Sequence, residues 1–242
     1  MERVSPSAPS RAPVPGALLH QWQEWHHASR AAREPGREVG QGQPALVFPM
    51  FGAGPESTAR LRAALDHAGF STHDWGYGED TGPRSGSLRN RLRRLEERVI
   101  DIFEAERCTV TLIGWGFSGI YARELAKRTA PLVRQVITLG TPFNATAGRC
   151  PMLQALQDES GQLPADLQRE LRERPPVPCT SVYTMSDGAV PWSMCVEPDS
   201  PRSQSIMVPA ASHRALADHP EVRRIIVDRM AQRADQWRPF AV

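Results

Sequence analysis

Apolar and polar positions along this chain alternate between two periods. Ala45-Leu46-Val47-Phe48, Val110 to Ile113, Val133 to Leu139 and Cys179 to Tyr183 are short, continuous apolar runs. Their length and β-branched content suit strands buried on both faces. Ser71 to Trp75 and Ser205 to Val208 read as shorter strands. Between the runs the period lengthens. Leu61, Leu65 and Ala68 share one face of a helix that Ser57 is expected to cap. Leu88, Leu92, Leu95, Val99 and Ile102 recur at spacings of four and three, the strongest helical pattern in the chain. Pro220, suited to a first helical turn, opens a closing helix bearing Val222, Ile225, Ile226 and Met230. Strands alternating with helices predict an α/β protein with a mostly parallel sheet and helices on both faces.

The pattern also sets boundaries. Residues 1–43 are rich in Pro, Ser, Arg and Gly and read as a partly disordered N-terminal extension. It carries one helical patch, around Leu18 to Ala32, whose Trp22 and Trp25 suit docking. The folded domain is expected over residues 44–242. Within it, residues 144–175 are polar, hold no strand and end in Pro175-Pro176, as a small cap or lid inserted between two strands would.

Composition narrows the function. A chain of 242 residues with 40% hydrophobic and 23% charged residues suits one α/β domain. A net charge of +2 gives no case for nucleic acid. Lys127 is the only lysine, and the arginines alternate with glutamates, as in Arg93, Arg94, Glu96, Glu97 and Arg98. No apolar run approaches the roughly 18 residues of a membrane span. Met1 to Pro15 lacks the apolar stretch of a secretory signal. Cys108, Cys150, Cys179 and Cys195 lack metal-type spacing, and His26 and His27 point apart on a helix, so no metal or cofactor is expected. Reduced thiols in the cytoplasm are expected in preference to a Cys179–Cys195 bridge.

Candidate chemistry centres on Thr109 to Lys127, where an apolar run breaks into a helix pattern over Gly114, Gly116 and Gly119. The stretch resembles the nucleophile elbow L-I-G-W-S-L-G-G-I-Y-A-R-E-L-A of the lipase- and esterase-like branch of the α/β-hydrolases. The resemblance implies the α/β-hydrolase fold and puts the family's nucleophilic serine at Gly116. Glycine keeps the strained turn and deletes the reactive oxygen. Ser118, two residues on, is rotated by about 200° at 3.6 residues per turn and suits a bond near the helix N-terminus. A rival register makes Ser118 the nucleophile, but it places Ile120 where G-x-S-x-G requires glycine. Gly114 to Gly119 also satisfies the dinucleotide pattern G-x-G-x-x-G, yet the acidic residue expected about 20 positions on is absent.

Two further motifs support the resemblance, which runs from about residue 45 to the end. Met185 to Trp192 resembles the family's S-D-G-x-V-P-W acid loop, and Ala211 to Leu216 its G-S-H-C-G-L loop. They imply Asp187 as acid and His213 as base. Each alone reads as an ordinary turn aspartate or surface imidazole; together, behind successive strands, they favour a triad lacking its serine. The family's P-G-F oxyanion loop is Pro49-Met50-Phe51 here, so oxyanion or ligand contacts fall to Met50, Phe51 and Phe117, with the Met50 side chain expected to crowd the pocket. A degenerate site binding a small apolar ester-like ligand or a partner, weakly active or inactive, is the expectation. The alternative is an ester hydrolase using Ser118 with His213 and Asp187, or water activated by His213.

Overall fold

The structure, a computed structural model, describes residues 39–82, 88–144, 150–156, 164–209, 212–233 and 236–241. The helical patch at Leu18 to Ala32 and parts of the expected cap lie outside the described residues. The chain is tied to the domain slightly ahead of residue 44, since the Gly40 and Gly42 N–H groups donate to Ala68 O and Gly69 O, both at 2.8 Å.

Six strands form one sheet: β1 (Pro44–Phe48), β2 (Ser71–Asp74), β3 (Val110–Trp115), β4 (Val133–Leu139), β5 (Cys179–Tyr183) and β6 (Ser203–Met207). Their order is β2-β1-β3-β4-β5-β6, and every adjacent pair is parallel. Among the described residues, five α-helices accompany them: α1 (Ala59–His67), α2 (Leu88–Glu106), α3 (Ser118–Arg128), α4 (Ala165–Arg172) and α5 (Pro220–Ala231).

Successive strand residues face opposite sides of a sheet, and this divides the core in two. Leu46 and Phe48 of β1 and Val110 and Leu112 of β3 pack with Leu92, Leu95 and Val99 of α2 and with Ile120 and Leu125 of α3. Ala45 and Val47, with Ile113 and Trp115, pack on the other face with Leu61 and Leu65 of α1 and Val222, Ile225 and Ile226 of α5. Continuous apolar runs are thus required, because both faces of each central strand are covered.

The first helix departs from expectation at its start. Pro55–Thr58 forms a 3-10 turn, and α1 begins only at Ala59. Ser57 does not cap it; the Ser57 hydroxyl donates to Gly54 O at 2.7 Å, inside the turn. Trp75 falls outside β2, fully buried, its indole N–H donating to Gly78 O at 3.0 Å. In the cap region Pro151–Leu156 is a 3-10 helix and Ala165–Arg172 is α4.

Candidate active site

β3 hands over to α3 through a single left-handed residue, Gly116, with φ of +61°. Strand and helix approach backbone to backbone: a β-carbon on Gly114 would fall 2.3 Å from Gly119 Cα. The Gly116 N–H donates to Leu139 O of β4 at 2.8 Å, fixing the turn at the carboxyl edge of the sheet.

Ser118 lies inside this turn, not on its outer face. Its side chain is fully buried, with Oγ 2.6 Å from Pro49 O and 2.9 Å from Trp115 O, and it accepts from the Trp115 N–H at 3.2 Å. The hydroxyl therefore rivets the β1 exit loop to the elbow. Among the described residues, no hydrogen bond joins this hydroxyl to His213.

Asp187 and His213 do meet. The loop after β5 presents Asp187, whose Oδ1 accepts the N–H groups of Ala189 (3.0 Å) and Val190 (2.6 Å). Its Oδ2 lies 2.8 Å from His213 Nδ1, and Asp187 O accepts the His213 backbone N–H at 3.0 Å. With Nδ1 donating to the carboxylate, Nε2 is left facing the elbow. The Trp115 indole N–H donates to His213 O at 3.0 Å, securing the histidine from the residue preceding Gly116.

His213 Nε2 is buried and has no hydrogen-bond partner among the described residues. It faces Gly116: a β-carbon built there would fall 2.8 Å from Nε2. The next nearest side chain to that position is Met152, in the 3-10 helix Pro151–Leu156, with Sδ at 3.6 Å. The residue over position 116 is therefore Met152, not Met50. Met50 is half-buried and packs with the cluster that contains Trp115 and Leu216.

Among the described residues, no protein group accepts the N–H of Phe117, which opens α3, or that of Met50, next to the Pro49 that Ser118 holds. The Phe117 ring is wholly buried, 5.3 Å from Tyr121 and 5.6 Å from Phe51 between centroids. Phe51 and Met152 are both half-buried and pack against the core cluster that contains Phe117.

Burial pushes the Cys150 and Cys195 thiols up, so neither offers a thiolate in place of the absent hydroxyl. Cys179 is likewise pushed up to about 12 by burial. All four cysteines are free thiols. Among the described residues, no cluster of three or more His, Cys, Asp or Glu side chains could hold a metal ion. Nor is any helix long and apolar enough to cross a membrane. Sequence reasoning missed Met152, Trp115 and Gly140 as parts of the site. Only Gly140 carried a signal, a glycine ending a buried strand, and its φ is +57°.

No family model and no curated protein matches the sequence. Its structure does resemble solved ones. The match to the metagenome-derived lipolytic enzymes LipS and LipT covers 79% of this chain and 92% of that one, with 16% identity and a TM-score of 0.58. The lipase-esterase related protein from Clostridium acetobutylicum matches with 14% identity and a TM-score of 0.56, covering 80% and 96%. Aspergillus fumigatus lipase B gives 16% identity and a TM-score of 0.61, covering 84% of this chain and 57% of its own. At such identities the likeness concerns architecture, and together with the parallel sheet and its paired helical layers it establishes that the chain has the α/β-hydrolase fold.

Proposed function

We propose that this protein keeps the acid and histidine of an ester hydrolase without its nucleophile, and uses the site to bind a small ligand with an apolar tail. It forms no acyl-enzyme and hydrolyses esters weakly or not at all. The observation that carries this reading is the 2.8 Å between His213 Nε2 and the β-carbon position of Gly116. A serine hydrogen-bonded through its hydroxyl to Nε2 would hold its β-carbon farther from the nitrogen than its own oxygen, beyond an ordinary bond of about 2.7–3.2 Å. Here the imidazole has settled into space a serine side chain would need. The alternative through Ser118 is disfavoured by the three contacts that occupy its hydroxyl. A reducing, cytoplasmic setting forms part of the reading, in keeping with the four free thiols.

The test is a pair of assays on the purified chain. Fluorophosphonate labelling and hydrolysis of short-chain nitrophenyl esters should both stay at background. Stoichiometric labelling, at Ser118 or elsewhere, would overturn the proposal.

A further inference from the structure

We propose that the exposed face at the carboxyl ends of β5 and β6 is an association surface for a second copy of this chain, centred on Tyr183, Trp192 and Met207. Such a contact covers the exterior of the loop that carries Asp187 and asks nothing of the chemistry at His213.

Tyr183 and Met207 are register partners on adjacent parallel strands, so their side chains leave the same face of the sheet. On the opposite face their neighbours Val182 and Ile206 are buried in the core. The 3-10 turn Trp192–Cys195 lays the Trp192 ring on that of Tyr183, with centroids 6.0 Å apart and planes inclined by 22°. Tyr183 is half-buried beneath it, but Trp192 stays 43% and Met207 45% exposed. Met185, two residues past Tyr183, is 66% exposed. Among the described residues five large apolar side chains are exposed, and three of them belong to this corner of the sheet. Apolar side chains exposed singly are ordinary; a tryptophan gathered with methionines has the composition of an interface.

Charge and the strand edge decide the occupant. The stretches 183–196 and 203–209 hold one charged residue, Asp187, in a chain of which 23% is charged. Asp187 is itself buried against His213. A face without charge offers nothing to a phosphate-rich surface or a charged peptide. It is, however, complementary to itself. A two-fold contact sets each residue of the patch against the same set on the other copy, which like charges would oppose and these side chains do not. The edge of β6 is closed to an added strand, since the outward N–H groups of Ser203 and Ser205 already donate to Ser200 O and Asp199 Oδ1, both at 3.2 Å. Contact is therefore made through side chains, with Trp192 as the anchor. Three exposed side chains fall well short of the roughly 800 Å² per partner of a standard interface, so the dimer is a weak one, micromolar to millimolar.

The test is sedimentation of the full-length chain from micromolar to millimolar concentration, with hydrogen exchange measured at both ends of the range. A reversible monomer–dimer equilibrium is expected, with slower exchange of the amides of residues 185–193 and 205–208 in the concentrated sample. Trp192→Glu sets two like charges across the two-fold and should weaken dimerisation by about tenfold or more, as loss of an anchor implies. Met207→Lys, on the neighbouring strand, should do the same independently. Exchange is read on the unaltered chain, so the proposal stays exposed to refutation even if both variants misfold. A chain that is monomeric throughout, a dimer whose slowed amides lie elsewhere, or folded variants that dimerise undiminished would each overturn it. So would a monomer that binds neutral phosphatidylcholine vesicles and loses that binding in Trp192→Glu, which would give the face to a membrane.

Discussion

Gly140 lies directly against the hydrogen bond between Asp187 and His213: a β-carbon there would fall 2.9 Å from Asp187 Oδ2 and 3.0 Å from His213 Nδ1. The same atom would meet Leu216 Cδ1 at 2.9 Å, so it has no direction in which to yield. The pair closes only because the residue ending β4 has no side chain. Gly140→Ala should therefore separate the two groups and, because its φ of +57° also strains any L side chain, destabilise the fold by about 1–3 kcal/mol. Loss of the low-field imidazole proton resonance, with a lowered urea midpoint, is the expected outcome; an unchanged resonance would show that the loop adapts.

Gly116→Ser introduces a hydroxyl facing His213, at a cost of about 1–3 kcal/mol for the strained backbone. His213 must first withdraw from the 2.8 Å contact, and its bond to Asp187 limits that movement. Slow hydrolysis of a short nitrophenyl ester and labelling at residue 116 are expected. The second substitution that should raise the rate is Met152→Ala, since Met152 lies over the elbow. Met50→Gly should add little. A stable double variant that neither labels nor hydrolyses would mean that the acid–histidine pair cannot serve a serine at this position.

Ser118→Ala should destabilise without touching chemistry. It removes a buried hydroxyl that bridges Pro49 O and Trp115 and leaves those groups short of a partner. The expected loss is about 1–3 kcal/mol by urea denaturation. Background labelling by a fluorophosphonate should be the same before and after. A drop in labelling on substitution would restore Ser118 as a nucleophile.

Asp80 provides a pH signature remote from the histidine. It is fully buried, accepting the Gly82 N–H at 3.0 Å and the Tyr121 hydroxyl at 3.4 Å, while Oδ2 has no partner among the described residues. Burial raises its carboxyl above the ordinary value of 3.8, a tendency opposed by the Gly82 bond and by Arg91. A raised folded value favours the protonated form. Its contribution is complete below the unfolded value and is lost as pH rises through the folded one. Asp80→Asn cannot titrate, so its stability should fall less than that of the unaltered protein between about pH 4 and 8. Parallel urea midpoints across that range would show that Asp80 titrates alike in both states.

Much of the fold could be read along the chain because each central strand is covered on both faces. Val133–Leu139 and Cys179–Tyr183 fall where their apolar runs predicted, and α2 buries Leu92, Leu95, Val99 and Ile102 of its expected stripe. Boundaries set by turn chemistry were less legible. Ser57 has the composition of a cap, but Pro55 starts a tighter turn first and Ser57 bonds within it.

The site divides in the same way. Local sequence determined the absence of a hydroxyl at position 116, the positive φ that glycine accepts there, and the inward place of Ser118 one half-turn into the helix. These depend on neighbours along the chain and on steric limits of a single residue. Tertiary structure alone decided that His213, 97 positions beyond Gly116 in the sequence, would face that glycine, that Met152 would lie next to it and that Gly140 would leave room for the bond to Asp187. Those contacts join the segments that follow β3, β4, β5 and β6 with Met152, and no local periodicity records which side chains converge when parallel strands bring their carboxyl ends together.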